Sequence, residues 1–299
     1  MVKETSAERN ARRMLPALRL IQVYVPLKAA RWAEARGTAA VRPRDGITHT
    51  AISAGGVRCE WFVPAGSPEN RVLLYLHGGG FIFGMSSRHR AMVSNLALKM
   101  GTRALMVDYR LAPANPFPAP LDDCVGAYRW LLQQGIPAQN LAIAGDSAGG
   151  NLTLATLMQL RDDGDPLPAA AACLSPVADL SRTGANATGV SDPLLHPKAM
   201  QKYRSAYVAQ QDSRNPLISP VFGDWRALPP LLLHAGEDEV LRADAVRVAE
   251  LASAAGVAVR LEVFPRMWHV WQLYSSLPQA EQSLCDIAQF LNAHMQAAP

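Results

Sequence analysis

Residues 141–149 read Leu141-Ala142-Ile143-Ala144-Gly145-Asp146-Ser147-Ala148-Gly149. Four apolar residues with strand character run into a serine that has glycine two positions away on either side, and the segment after it, Gly149 to Asp162, is patterned as a helix. A strand, a sharp turn and a helix in that order describe a nucleophile elbow. Glycine is required because side chains at the turn's shoulders would collide. The turn lifts the Ser147 hydroxyl above the sheet and puts the Ala148 amide at a helix N-terminus, where N–H groups lack intrahelical partners. Working outward, His77-Gly78-Gly79-Gly80 follows a second apolar run, Val72-Leu73-Leu74-Tyr75-Leu76. Backbone donors on this loop, at Gly78 and Gly79, join Ala148 as an expected oxyanion hole.

The wider chain alternates strand and helix patterns. Strands are expected at Val57 to Val63, Val72 to Leu76, Arg103 to Tyr109, Leu141 to Ala144, Ala169 to Leu174, Pro230 to His234 and Val259 to Phe264. Helices are expected at Asp123 to Gln134, Gly149 to Asp162, Leu241 to Ala255 and Leu277 to Met295. Alternation of this kind predicts an α/β fold, a mostly parallel sheet with helices on both faces. It argues against the all-β protease barrels that carry a similar Gly-Asp-Ser-Gly, in which the histidine precedes the serine. The turn-rich Pro64 to Asn70 predicts a hairpin between the first two strands. Before the sheet, Met14, Leu18, Ile21, Val25, Ala29 and Trp32 recur at helical spacing, with Pro16 and Pro26 expected to break this arm into short helices. Between Leu180 and about Pro220 the alternation stops, which reads as an insertion. With the arm it forms an expected lid over the carboxyl ends of the strands, where open α/β sheets bind ligands.

The 299 residues are 49% apolar and 18% charged, the balance of a globular enzyme with one catalytic domain. No stretch approaches the roughly 18 unbroken apolar residues of a membrane helix. The first residues carry acids and no apolar core of a secretion signal, so a soluble, cytoplasmic protein without a membrane partner is expected. A net charge of +4 comes from scattered basic residues rather than a run, which gives no ground for a nucleic-acid partner. The four cysteines, Cys59, Cys124, Cys173 and Cys285, have no C-x-x-C spacing and read as buried thiols rather than metal or redox groups.

Several motifs in sequence order carry a resemblance. They are His77-Gly78-Gly79-Gly80-Phe81, Asp108-Tyr109-Arg110-Leu111-Ala112-Pro113 with Phe117-Pro118-Ala119, Gly145 to Gly149, Asp192-Pro193-Leu194, and Met267-Trp268-His269. With them the chain resembles the bacterial hormone-sensitive-lipase-like carboxylesterases of the α/β-hydrolase superfamily. The resemblance implies an eight-stranded, mostly parallel sheet, no cofactor and no metal. It also implies a helical cap, built from residues 1–45 and an insertion at about 181–220 of the catalytic domain that occupies residues 46–299. One departure is Ala114, where such proteins often carry an acid.

On this fold the chain order of a triad is serine, acid, histidine. Of seven histidines, His269 alone sits in a loop after a late strand and before the last helix. The acid comes from Glu237-Asp238-Glu239. Matching Gly236 and Leu241 to the family's motif puts Glu239 in the acid's place, with Asp238 and Glu237 as alternatives. The expected activity is hydrolysis of short-to-medium acyl esters, with Ser147 as nucleophile, His269 as base and Glu239 orienting it. Phe81 and Trp268 are expected to line an apolar substrate site. An amide-cleaving serine hydrolase and a non-catalytic small-ligand receptor on the same fold are the alternatives. The expected partner is a small-molecule ester, with a homodimer through the last strand, Val259 to Phe264, as a possibility.

Overall fold

A computed structural model describes residues 5–29, 45–181 and 192–295. Its framework is one sheet of eight strands in the order β1-β2-β4-β3-β5-β6-β7-β8. These are β1 (Ile47–Ala54), β2 (Val57–Pro64), β3 (Val72–Leu76), β4 (Arg103–Val107), β5 (Leu141–Asp146), β6 (Ala170–Leu174), β7 (Leu231–Gly236) and β8 (Val259–Phe264). Strands β1 and β2 pair antiparallel, as do β2 and β4; every later pairing is parallel. The expected hairpin between β2 and β3 is therefore not formed. Strand β2 instead turns back on β1, which the sequence reading passed over because its outward-facing polar residues dilute the apolar signal, and β4 lies between β2 and β3.

The helices are α1 (Ser6–Tyr24), α2 (Ser87–Met100), α3 (Ala119–Gln133), α4 (Ala148–Asp162), α5 (Pro197–Val208), α6 (Arg242–Ala254) and α7 (Pro278–His294). The central strands are buried on both faces, and successive residues of β3 divide between two cores. Leu74 and Leu76 join the cluster containing Leu121, Tyr128 and Leu152 from α3 and α4. Leu73 and Tyr75 join the cluster containing Met92 and Leu96 of α2 with Leu284 and Ile287 of α7. Each fully buried leucine contributes about 1.5–3 kcal/mol, so the two-period pattern of these runs fixes the sheet between its helical layers. Helix α2 went unforeseen because its apolar face is interrupted by polar residues, Ser94 and Asn95 among them, that are themselves buried.

Helix α1 ends at Tyr24, just before Pro26 as expected, but does not break at Pro16. It continues through Pro16, because Pro16 is exposed and water can take the carbonyl whose intrahelical donor the ring removes. The buried face also differs. Ala11 and Leu15 pack against Phe264, Met267, Trp268 and Trp271, while Met14, Ile21 and Tyr24 are exposed. Trp32 lies outside the described residues, as do parts of both expected cap segments. Where both segments are described they touch: Arg19 Nε donates to the Leu195 carbonyl at 3.2 Å and Gln22 Nε2 to that of Leu194 at 3.0 Å. Among the described residues no helix is long and apolar enough to cross a membrane. At the far edge of the sheet, Arg260 and Glu262 of β8 pair with each other along their own strand.

Candidate active site

The elbow is as tight as its glycines require. A Cβ on Gly145 would stand 2.3 Å from the Gly149 carbonyl oxygen, and one on Gly149 would stand 1.9 Å from that of Leu76. Between them Ser147 is held at φ 53°, a conformation that side-chain-bearing residues rarely adopt. Its own amide is tied to the Leu174 carbonyl at 2.8 Å, so the turn is anchored to the neighbouring strand. This strain is the local cost of presenting the hydroxyl at the start of α4.

Three side chains from separate loops form one line. His269 Nε2 lies 2.8 Å from Ser147 Oγ, and His269 Nδ1 lies 2.8 Å from Glu239 Oε2. His269 is 5% exposed and Glu239 is fully buried, which shields the bond between them from water, while Ser147 keeps partial exposure. The alternatives for the acid are occupied elsewhere. Asp238 accepts from Arg12 of α1 at 2.7 Å, and Glu237 accepts from the Arg266 amide at 2.8 Å. Three contiguous acids thus face three directions, and Glu239 alone reaches the imidazole. Burial on its own would disfavour the imidazolium, but the hydrogen bond and charge of Glu239, with the charges of Asp192 and Asp146, hold the His269 pKa above its ordinary value.

Two residues that sequence reasoning did not single out support Glu239. Ser175 follows β6 and is itself at φ 49°. Its hydroxyl donates to Glu239 Oε1 at 2.8 Å and accepts the Val270 amide at 3.2 Å, linking acid loop to histidine loop. The Gly236 amide donates to the same Oε1 at 2.6 Å. Asp192, noted only as part of a motif, accepts the amides of Leu194 and Leu195 through Oδ1 and that of Val240 through Oδ2, so the insertion pins the acid loop. The only local signals were a serine before proline at a strand end and an Asp-Pro step.

The glycine loop corrects one expected donor. The Gly78 amide is already spent on Asp146 Oδ1 at 3.0 Å, and a Cβ at Gly78 would stand 2.2 Å from Asp146 Oδ2. Gly78 is glycine so that Asp146 can approach. Asp146 also accepts from Tyr75 Oη at 2.9 Å and meets His89 Nε2 at 3.2 Å; although burial opposes its charge, these partners hold its carboxyl below the usual range. Among the described residues, the amides of Gly79, Gly80 and Ala148 have no hydrogen-bond acceptor. Gly79, at φ 112°, turns the loop so that such donors can face outward. His77 braces it, with Nδ1 at 2.7 Å from the Gly78 carbonyl and its ring stacked on Tyr109; burial pushes its pKa down to about 3.

Phe81 and Trp268 do not offer surface to a substrate. Phe81 is stacked on Tyr207 of α5 at a centroid distance of 3.7 Å. Trp268 is fully buried beneath α1, with the Arg12 guanidinium over its ring. The residue that faces the glycine loop from the insertion is Tyr203, whose ring a Cβ on Gly80 would meet at 2.6 Å.

Comparisons with known proteins place the chain in a family. The profile of a family described as alpha/beta hydrolase fold matches residues 73–273. An acetyl-hydrolase of Streptomyces hygroscopicus is 42% identical over 254 residues, covering 84% of this chain and 83% of that protein. The crystal structure of an esterase/lipase from an uncultured bacterium superimposes with a TM-score of 0.90 at 36% identity, covering 98% of this chain and 100% of that one. An esterase of the bacterial hormone-sensitive lipase family gives a TM-score of 0.89 at 36% identity, covering 99% and 100%. The chain belongs to the alpha/beta-hydrolase fold family and is a hydrolase of its bacterial hormone-sensitive-lipase-like esterase branch.

Proposed function

We propose that this hydrolase cleaves carboxylic esters of short to medium acyl groups through a covalent acyl-enzyme on Ser147. The observation that carries the reading is the continuous line from Ser147 Oγ through His269 to Glu239, with 2.8 Å at each step. A serine hydroxyl is a weak nucleophile unless a base takes its proton as it attacks. His269 Nε2 removes that proton, the Ser147 oxygen bonds to the ester carbonyl carbon, and the carbonyl oxygen becomes an oxyanion. The imidazolium is stabilised by Glu239, which also keeps the remaining proton on Nδ1. The imidazolium then protonates the departing alcohol. Water repeats the sequence on the acyl-enzyme, releasing the acid and restoring the hydroxyl.

The oxyanion is received by the amides of Gly79, Gly80 and Ala148. What supports this set over one containing Gly78 is that the Gly78 donor is already committed to Asp146. Losing one such donor typically slows turnover by about 10²–10³-fold. The preference for small acyl groups is supported by the acetyl-hydrolase relative and by Tyr203 of the insertion lying against the glycine loop. Residues of the arm and insertion act as the cap in this reading.

Rates on the nitrophenyl esters of acetate, butyrate and laurate test the proposal. The short esters are expected to turn over at least about tenfold faster than laurate, a margin of roughly 1.4 kcal/mol in the barrier. Equal rates on all three would remove the acyl preference, and no hydrolysis of any would remove the esterase reading.

A further inference from the structure

Another buried histidine stands on β7, on the sheet face covered by α7. His234 is fully buried, and its Nδ1 lies 2.8 Å from Ser283 Oγ of α7. Its Nε2 is enclosed as well, yet it makes no hydrogen bond among the described residues. Two carboxylates stand near this imidazole. Glu262 is the residue paired with His234 across the β7–β8 register, and its Oε2 is 3.8 Å from Nε2. Asp286 arrives from α7, and one donor atom from each of His234, Glu262 and Asp286 lies within 4.8 Å of the other two. None of these three side chains takes part in the ester chemistry.

Neither neutral tautomer satisfies this arrangement. If Nδ1–H donates to Ser283 Oγ, Nε2 presents a bare lone pair toward the Glu262 carboxylate. If the Ser283 hydroxyl donates to Nδ1, the Nε2–H stands 3.8 Å from its nearest carboxylate oxygen, beyond hydrogen-bond reach. The carboxylates are also steadied from outside. Arg260 pairs with Glu262 Oε1, and Gln282 Nε2 donates to Asp286 Oδ1 at 2.9 Å. One imidazole and two carboxylates thus converge in a geometry that a cation with directional bonds would join.

We infer that His234, Glu262 and Asp286 bind a divalent transition-metal ion, with Zn²⁺ the best match. Zinc takes imidazole nitrogen and carboxylate oxygen at about 2.0–2.2 Å, whereas an imidazole ligand disfavours Mg²⁺ and Ca²⁺. The ligands must close inward by roughly 1 Å to reach zinc–ligand distances, and the partly exposed Glu262 side chain can turn its Oε2 inward while Oε1 stays on Arg260. Ser283 supplies the contact to Nδ1 that fixes the orientation of a ligating histidine. Gln272 Nε2 in turn donates to Ser283 Oγ at 3.0 Å. The dication is balanced by two carboxylates. An ion here fastens the edge strand β8 to β7 and α7. Its ligands stand 28 and 24 residues apart along the chain, from His234 to Glu262 to Asp286, so no short spacing announces them.

The test is a titration of the metal-stripped full chain with ZnCl₂, followed by calorimetry and by thermal unfolding. One ion is expected to bind with a Kd on the order of 10 µM or tighter. Zinc at about a hundredfold excess over that Kd should raise Tm by roughly 2 °C or more, while MgCl₂ should leave it unchanged. Glu262→Gln and Asp286→Asn keep the shape of each side chain, and each should weaken zinc binding by about tenfold or more with ester hydrolysis retained. Co²⁺ should give a visible absorption band with the wild type that both variants lose. No zinc binding up to about 100 µM, or unchanged binding in both variants, would overturn the inference.

Discussion

The nucleophile side and the acid side of the site are built by different physics. On the nucleophile side, the loops after β3 and β5 are close-packed, with Gly145 and Gly149 where a Cβ would overlap a backbone carbonyl and Gly78 where it would overlap the Asp146 carboxylate. On the acid side, the loops after β6, β7 and β8 are joined by polar side chains from distant parts of the chain. Ser175 bridges Glu239 and Val270, and Asp192 of the insertion holds the Val240 amide. Geometry on the first side is held where the adjacent central strands β3, β5 and β6 end, and on the second side it also needs the insertion and the last loops to be in place. Both sides end in a buried carboxylate, Asp146 or Glu239, that organises a loop. Only Glu239 touches the base.

Substitutions can break this contrast in graded steps. The largest loss belongs to Ser147→Ala, which should lower kcat by about 10⁴-fold or more and leave thermal unfolding nearly unchanged, since the hydroxyl's one side-chain bond is to His269. Retention of more than a few per cent of activity would show that another group attacks.

Glu239→Gln comes next, with an expected loss of about 10³–10⁴-fold because the tautomer is no longer enforced. It should also move the pH profile. In the wild type, kcat/KM should fall with acidification through a pKa above the usual imidazole value of about 6.5, because the base must be neutral to accept a proton. Removing the anion destabilises the imidazolium, so the acid limb of the variant should shift to lower pH. A limb that stays in place would mean that Glu239 does not set the charge on His269.

Ser175→Ala probes the polar linkage alone. Loss of a hydrogen bond to a buried charge should reduce kcat by roughly ten- to a hundredfold with little change in KM. An unaffected kcat would reduce the bridge to a structural contact. The smallest effect is expected from Asp238→Asn. Its partner Arg12 is a partly exposed ion pair of low worth, so activity should stay within about threefold of wild type. A larger loss than that of Glu239→Gln would reverse the acid assignment.

What could be read from the sequence follows the same division. The elbow and the glycine loop were legible because steric demand at a sharp turn restricts residue choice within five positions. The interior strands were legible because burial on both faces leaves an unbroken apolar run. Strand β1 and helix α2 were not, since the first exposes alternate polar residues and the second buries polar ones. The pairing of β2 with β1 and β4 escaped because turn residues report a reversal, not the partner strand. Gly78 was read as an oxyanion donor because three consecutive glycines look alike in sequence, and only the arrival of Asp146 from β5 distinguishes the first. Phe81 and Trp268 adjoin catalytic elements in the chain but spend their rings on α5 and α1. Ser175 escaped because its contacts lie 64 and 95 positions away.

The central claim is that His269 makes Ser147 nucleophilic. It is tested most directly by the rate at which a fluorophosphonate probe labels the protein, with the modified peptide located by mass spectrometry. One adduct is expected, on Ser147, forming faster as pH rises through the His269 pKa and nearly abolished by His269→Ala. A wild type that resists the probe, or a His269→Ala variant labelled at the wild-type rate, would contradict the account.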